Sequence, residues 1–80
     1  LFNNHLHLTP FIHIDDFQQI RINGPFELTV LSPHSCQLSG NGYILIIESE
    51  NTLISSMNVE EVIINVQELK RLELRKMEIV

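Results

Sequence analysis

An all-β domain of short strands is predicted by three observations. Apolar residues alternate with period two, turn residues recur about every ten positions through the middle of the chain, and β-branched side chains dominate the apolar runs. The sequence has 80 residues, 44% of them hydrophobic and 19% charged. That balance supports a folded chain and excludes the highly charged, weakly apolar composition of disorder. It points to one domain over 1–80, with 1–12 as an extended N-terminal edge segment.

Phe17 to Ile22 opens the clearest series, with Ile20 and Ile22 on one face. Asn23, Gly24 and Pro25 end it, because Asn-Gly tolerates positive φ and Pro25 lacks the amide a ladder needs. Phe26, Leu28 and Val30 then alternate with Glu27 and Thr29, which predicts a strand with one wet face. Asp15 and Asp16, ahead of Phe17, mark a turn.

Ser32, Pro33, His34 and Ser35 form the next turn, after which Cys36 and Leu38 alternate with Gln37. Ser39, Gly40, Asn41 and Gly42 are the strongest turn signal in the chain. Tyr43 to Ile47 follows as an apolar run suited to burial on both faces. Glu48 to Asn51 punctuates it, and Thr52 to Ile54 reads as a further short strand. This rhythm suits a sandwich, a barrel or a solenoid-like stack.

The last third admits two readings. Asn58 followed by Glu61 is a helix-capping pattern, and Val59, Val62, Val66 and Leu69 fall at helical spacing, so an α+β domain with a C-terminal helix around 58–70 is the alternative. Against it stand Val59, Val62, Ile63, Ile64 and Val66, whose branching lowers helix propensity. Two strands are favoured, Val62 to Val66 and one from Leu72, with a turn at Gln67 to Lys70.

Charge and cysteine usage narrow the function classes. Ten acidic residues against five basic ones give a formal charge of -5, which repels phosphate backbones and argues against nucleic acid. Lys70, Arg71, Arg75 and Lys76 crowd the C-terminal segment, but Glu73 and Glu78 interrupt them, as on a solvated face. Cys36 is the single cysteine, so no internal disulfide supplements the core, and it reads as a small buried apolar side chain. The longest apolar stretch is far too short to insert in a membrane, and no basic-then-apolar leader opens the sequence. Leu1 in place of Met predicts an excised or processed segment, compatible with an upstream signal peptide.

Candidate chemical groups are few. His5 and His7 fall on one side of an extended segment, a spacing compatible with metal ligation, and His13, Asp15 and Asp16 are candidates to complete such a site. The bland reading is exposed histidines alternating with Leu6 and Leu8 on an edge strand. His34 and Cys36 are the only Cys/His neighbours. Side chains two apart on a strand stand roughly 7 Å apart, so a thiolate–imidazole pair would need the turn to fold them together. Gly40 and Gly42 lack the third glycine, the lysine and the helix of a phosphate-cradling loop. Tyr43 is the only Tyr and Trp is absent, which provides poorly for stacking on bases or sugars. No catalytic residues and no cofactor are predicted.

The segment "IDDFQQIRINGPFELTVLSP", set beside "INVQELKRLELRKMEIV", resembles the head GIN domain of auto-transporter adhesins. Phe17, Ile20, Gly24, Phe26, Leu28 and Val30 match its Phe, Ile, Gly-Pro-Phe corner and alternating strand. Ile44 to Ile47, Leu53, Ile64, Val66, Leu69, Lys70 and Leu72 are similar to its later strands and "Leu-Lys-x-Leu" corner. The chain departs where the family has a small-residue step, with Leu74, Arg75, Lys76 and Met77 instead. The family domain is longer, so the chain looks like a short relative or an N-terminal portion.

The resemblance implies a right-handed, β-helix-like stack in a bacterial cell-envelope or secreted surface protein without assigned catalysis. The expected function is thus a non-enzymatic structural or interaction domain, adhesin-like by resemblance. The alternative is a small metal-binding module using His5, His7 and His13. Self-association through exposed β edges is expected, because a short stack leaves amides and apolar side chains uncovered at its ends. Any other protein or surface partner is not identified by the residues.

Overall fold

The computed structural model describes the backbone of residues 5–9 and the whole of residues 11–77. It has seven strands: β1 (His5–Thr9), β2 (Ile12–Asp15), β3 (Gln19–Asn23), β4 (Glu27–Ser32), β5 (Ser35–Gly40), β6 (Tyr43–Met57) and β7 (Glu61–Lys76). They form one sheet in the order β1-β2-β3-β7-β6-β5-β4, antiparallel at every joint. The all-β class is as predicted, and no helix occurs among the described residues.

The pairing is that of hairpins laid side by side, which differs from a solenoid-like stack of parallel rungs. Loop length is the reason. The connections at Pro33–His34, Asn41–Gly42 and 58–60 suit hairpins, whereas a parallel crossover needs a dozen residues or more. Asn41 and Gly42 have φ of 52° and 79°, and Asp16 and Phe17 have φ of 52° and 53°, so both predicted turns use the left-handed region.

The sheet folds on itself in a sandwich-like manner. Ile12, Ile14, Ile20, Ile22, Val62 and Ile64 from one half share a buried cluster with Cys36, Leu38, Leu45 and Ile47 from the other. Burying each large aliphatic side chain is worth about 1.5–3 kcal/mol, and these residues supply most of the driving force. Phe11 closes one end, its ring centroid 5.8 Å from that of Phe26 and 5.7 Å from that of Tyr43. Gly40 is required there, because a Cβ would fall 2.3 Å from the Pro25 carbonyl oxygen.

The fold lies along the long β6–β7 hairpin. On β6 the positions below 7% exposure run Leu45, Ile47, Ser49 and then Thr52, with Ile46 on the opposite face at 8%, so the inward parity changes at residues 50–51. The β6–β7 ladder slips between Glu48 and Ser49, and Glu68 on β7 has a φ of 52°. Such bulges bend a strand without ending it. The turns expected at Glu48–Asn51 and Gln67–Lys70 are therefore bends inside continuous strands. The two polar stretches lie opposite each other, Ser49 against Leu69 and Asn51 against Gln67, and the ladder resumes beyond them.

Two further expectations are corrected. Leu28 pairs with Leu38, but a bulge follows and Val30 pairs with Gln37, which moves Val30 to the wet face at 43% exposure. Residues 58–70 hold a loop and the first part of β7, not a helix. Asn58 does cap, but it caps the loop: its Oδ1 accepts from the amides of Glu60 (2.8 Å) and Glu61 (2.9 Å).

Candidate functional site

Among the described residues, the outermost strand β4 and residues 53–57 of β6, beyond the reach of β5, have no ladder partner on one side. They run beside each other across an open seam. At one end residues 31–33 border residues 51–54 around a cleft of 370 Å³. At the other, residues 25–27 border residues 57–59 around a cleft of 590 Å³, with Met77 on its wall. The β4–β5 turn bridges the seam, where the Thr52 amide donates to the Pro33 carbonyl (2.7 Å) and the Ser49 amide to that of His34 (3.1 Å).

The seam is rimmed by apolar side chains in water: Leu31 is 54% exposed, Leu53 63% and Val59 83%, with Met57 and Met77 also exposed. Leu31 and Leu53 line the smaller cleft and Met57, Val59 and Met77 the larger one, and grouped exposed apolar residues mark a contact site more often than solitary ones do. Few polar groups converge on the larger cleft, where Glu27, Ser39 and Asn58 stand among Phe26, Met57, Val59 and Met77. Its chemistry suits an apolar or polypeptide occupant.

The polar candidates are committed elsewhere. His34 Nδ1 donates to the carbonyl of Glu50 at 2.8 Å, fastening the β4–β5 turn to the β6 bend. Cys36 is fully buried, and desolvation pushes its thiol up to about 11, so it acts as core and not as a nucleophile. The structure does not bring these two groups together. A second polar cleft joins Gln18, Gln19, Asn65, Gln67 and Glu68, with the Gln19 side-chain amide donating to Asn65 Oδ1 at 3.2 Å.

The basic cluster is a solvated, ion-paired face, as its sequence suggests. Lys70 meets Glu50 at 3.0 Å, Arg71 meets Glu48 at 3.2 Å, and Glu73 accepts from both Arg71 and Arg75. The Lys70 hydrogen bond holds the Glu50 carboxyl below the usual range, and those of Arg75 and Arg71 do the same for Glu73. Exposed pairs like these contribute little net stability.

The side chains of His5 and His7 lie outside the described residues. Their backbone places them on the edge strand β1, as expected, with His7 directly opposite His13 and His5 opposite Asp15. His13 and Asp15 are half-buried and alternate with the core residues Ile12 and Ile14. Among the residues with described side chains, no group of three His, Cys, Asp or Glu is placed to hold a metal.

The sequence gives no local signal for the seam, because its apolar residues come from separate segments of the chain. Only the unfilled place between β4 and β6 leaves them outside. Comparison with protein-family models, curated proteins and solved structures finds no match. Fold and clefts together define the class: a small antiparallel all-β domain with one open apolar seam.

Proposed function

We propose that the protein is a non-catalytic structural and interaction module that self-associates along the seam between β4 and the second half of β6. The observation that carries this reading is the exposure of Leu31 on β4, Leu53 on β6 and Val59 in the loop between β6 and β7. Covering them removes apolar area from water, and closed two-fold pairing is the commonest way for like chains to do so. The bulge after Leu28 makes the β4 edge irregular, so side-chain packing carries more of the contact than an added ladder.

A non-catalytic role is supported by the burial of Cys36, the backbone hydrogen bond of His34 and the ion pairing of Glu50 and Glu73. Placement at the cell envelope and an adhesin-like role rest on the head GIN resemblance alone and are part of the proposal.

Sedimentation velocity at tens of micromolar tests the self-association. The wild-type chain is expected to sediment as a dimer, and Leu53→Lys and Val59→Lys, both exposed positions, as folded monomers by circular dichroism. A wild-type monomer at about 100 µM, or dimers that survive both substitutions, would remove the seam as the contact.

A further inference from the structure

We infer that Asn41 is a site of spontaneous covalent modification, where the side-chain amide is lost through a succinimide and the β5–β6 turn comes to hold aspartate or isoaspartate. The chain has two Asn-Gly steps, Asn23–Gly24 and Asn41–Gly42. The reaction uses the main-chain nitrogen of the following residue as nucleophile, and glycine screens that nitrogen least because it has no Cβ. By residue type the two steps are equivalent. The folded chain separates them.

At Asn23 the nucleophile is occupied. The Gly24 amide donates to the Glu60 carbonyl at 2.8 Å, and the Asn23 amide donates to the Phe11 carbonyl at 2.8 Å. Asn23 is half-buried and pairs with Glu61 at the end of the β3–β7 ladder. Reaction there requires that end of the sheet to open first.

At Asn41 the nucleophile is open to attack the side chain. Asn41 and Gly42 are both exposed at the tip of the β5–β6 hairpin, and among the described residues no acceptor meets the Gly42 amide. Beyond the chain neighbours, no heavy atom lies within 4 Å of the place a Cβ on Gly42 would take. The Asn41 carboxamide rests on Gly24, its Nδ2 3.0 Å from where a Cβ of that residue would sit.

The step balances with water as its one co-reactant. The Gly42 nitrogen attacks Asn41 Cγ, the N–Cγ bond forms, the Cγ–Nδ2 bond breaks, and ammonia leaves with the proton of the Gly42 amide. Water then opens the cyclic imide. Addition at Cγ leaves aspartate in the turn. Addition at the main-chain carbonyl carbon leaves isoaspartate, whose main chain runs through the former side chain and is a carbon longer.

The turn has no slack for that carbon. It is a two-residue connection in which Asn41 and Gly42 take φ of 52° and 79° and Gly40 pairs directly with Tyr43. The Gly42 carbonyl also accepts from the Met77 amide at 2.7 Å, and Gly40 and Met77 line the larger cleft of the seam. Isoaspartate at this position therefore loosens one wall of that cleft, and either product adds a negative charge.

Peptide mapping by mass spectrometry of the full chain, aged in mildly alkaline buffer with and without urea, is the test. Folding should slow amide loss at Asn23 by about tenfold or more relative to urea, because the Gly24 hydrogen bond must open, and should slow Asn41 far less. Isoaspartate should appear at position 41 alongside aspartate, and aged protein should melt at a lower temperature than fresh protein. Asn41→Gln, shown to be folded by circular dichroism, should form no acid in the turn and should hold its Tm on ageing. Equal slowing at Asn23 and Asn41, or an Asn41 that reacts in urea but keeps its amide in the native chain, would each overturn the site.

Discussion

The hydroxyls of Ser49 and Thr52 lie 2.5 Å apart, hydrogen-bonded to each other inside the bend where β6 changes its inward parity. They are the buried polar side chains of the core region, and each satisfies the other. Their backbone amides are met by the His34 and Pro33 carbonyls of the β4–β5 turn. The bend thus closes its own polar groups and at the same time anchors the turn that bridges the seam.

This pairing predicts a non-additive mutant cycle. Ser49→Ala or Thr52→Val alone leaves one buried hydroxyl or its place in the bend unmatched and should cost about 1–3 kcal/mol. The double variant should cost clearly less than the sum of the two. Additive costs in urea denaturation would show that the two hydroxyls act independently.

The bulge after Leu28 predicts opposite sensitivities on paired strands. Leu38→Ala removes a fully buried side chain and should cost about 2–5 kcal/mol, whereas Val30→Ala, on the wet face, should cost under about 1 kcal/mol. Comparable shifts in denaturation midpoint would place Val30 back in the core and contradict the register.

Glu68 sits in the left-handed region at a φ of 52° and is exposed. Side chains with a Cβ are strained there, so Glu68→Gly should stabilise the fold by about 0.5–1 kcal/mol. A loss of stability would mean that the Glu68 side chain contributes more than the backbone strain costs.

The Cys36 thiol gives a pH dependence with a definite sign. Burial raises its folded pKa from 9.0 to about 11, so the folded state holds the proton more tightly than the unfolded state. Its contribution is therefore complete below pH 9 and is lost as pH rises from 9 towards 11. Wild type should lose stability relative to Cys36→Ala across that window, and native Cys36 should react with a thiol reagent only through unfolding. Rapid native-state labelling at pH 8 would contradict the burial.

Much of the secondary structure was legible in residues alone, because local chemistry decides it. Ile20 and Ile22, Cys36 and Leu38, and the Asn41–Gly42 turn follow from period-two alternation and from the few residues that accept positive φ. The interruptions misled where long-range pairing outweighed local polarity. Glu48 to Asn51 and Gln67 to Lys70 look like two turns, yet they are one bend seen from two strands. Neither segment carries in itself the information that the other lies opposite.

The candidate sites divide along the same line. His5, His7 and His13 drew attention by residue type and spacing, but the partnership of His7 with His13 and of His5 with Asp15 depends on where the β1–β2 hairpin turns. Leu31 and Leu53 fall in sequence within predicted strand segments. Their exposure comes from the way the folded sheet brings β4 beside β6 without joining them. Alternation and turn chemistry are properties of neighbouring residues, so the chain's order suffices for the all-β class, most of its strands and its core. Register across hairpins and the meeting of distant edges depend on closing the whole sheet, so the seam exists only in the folded molecule.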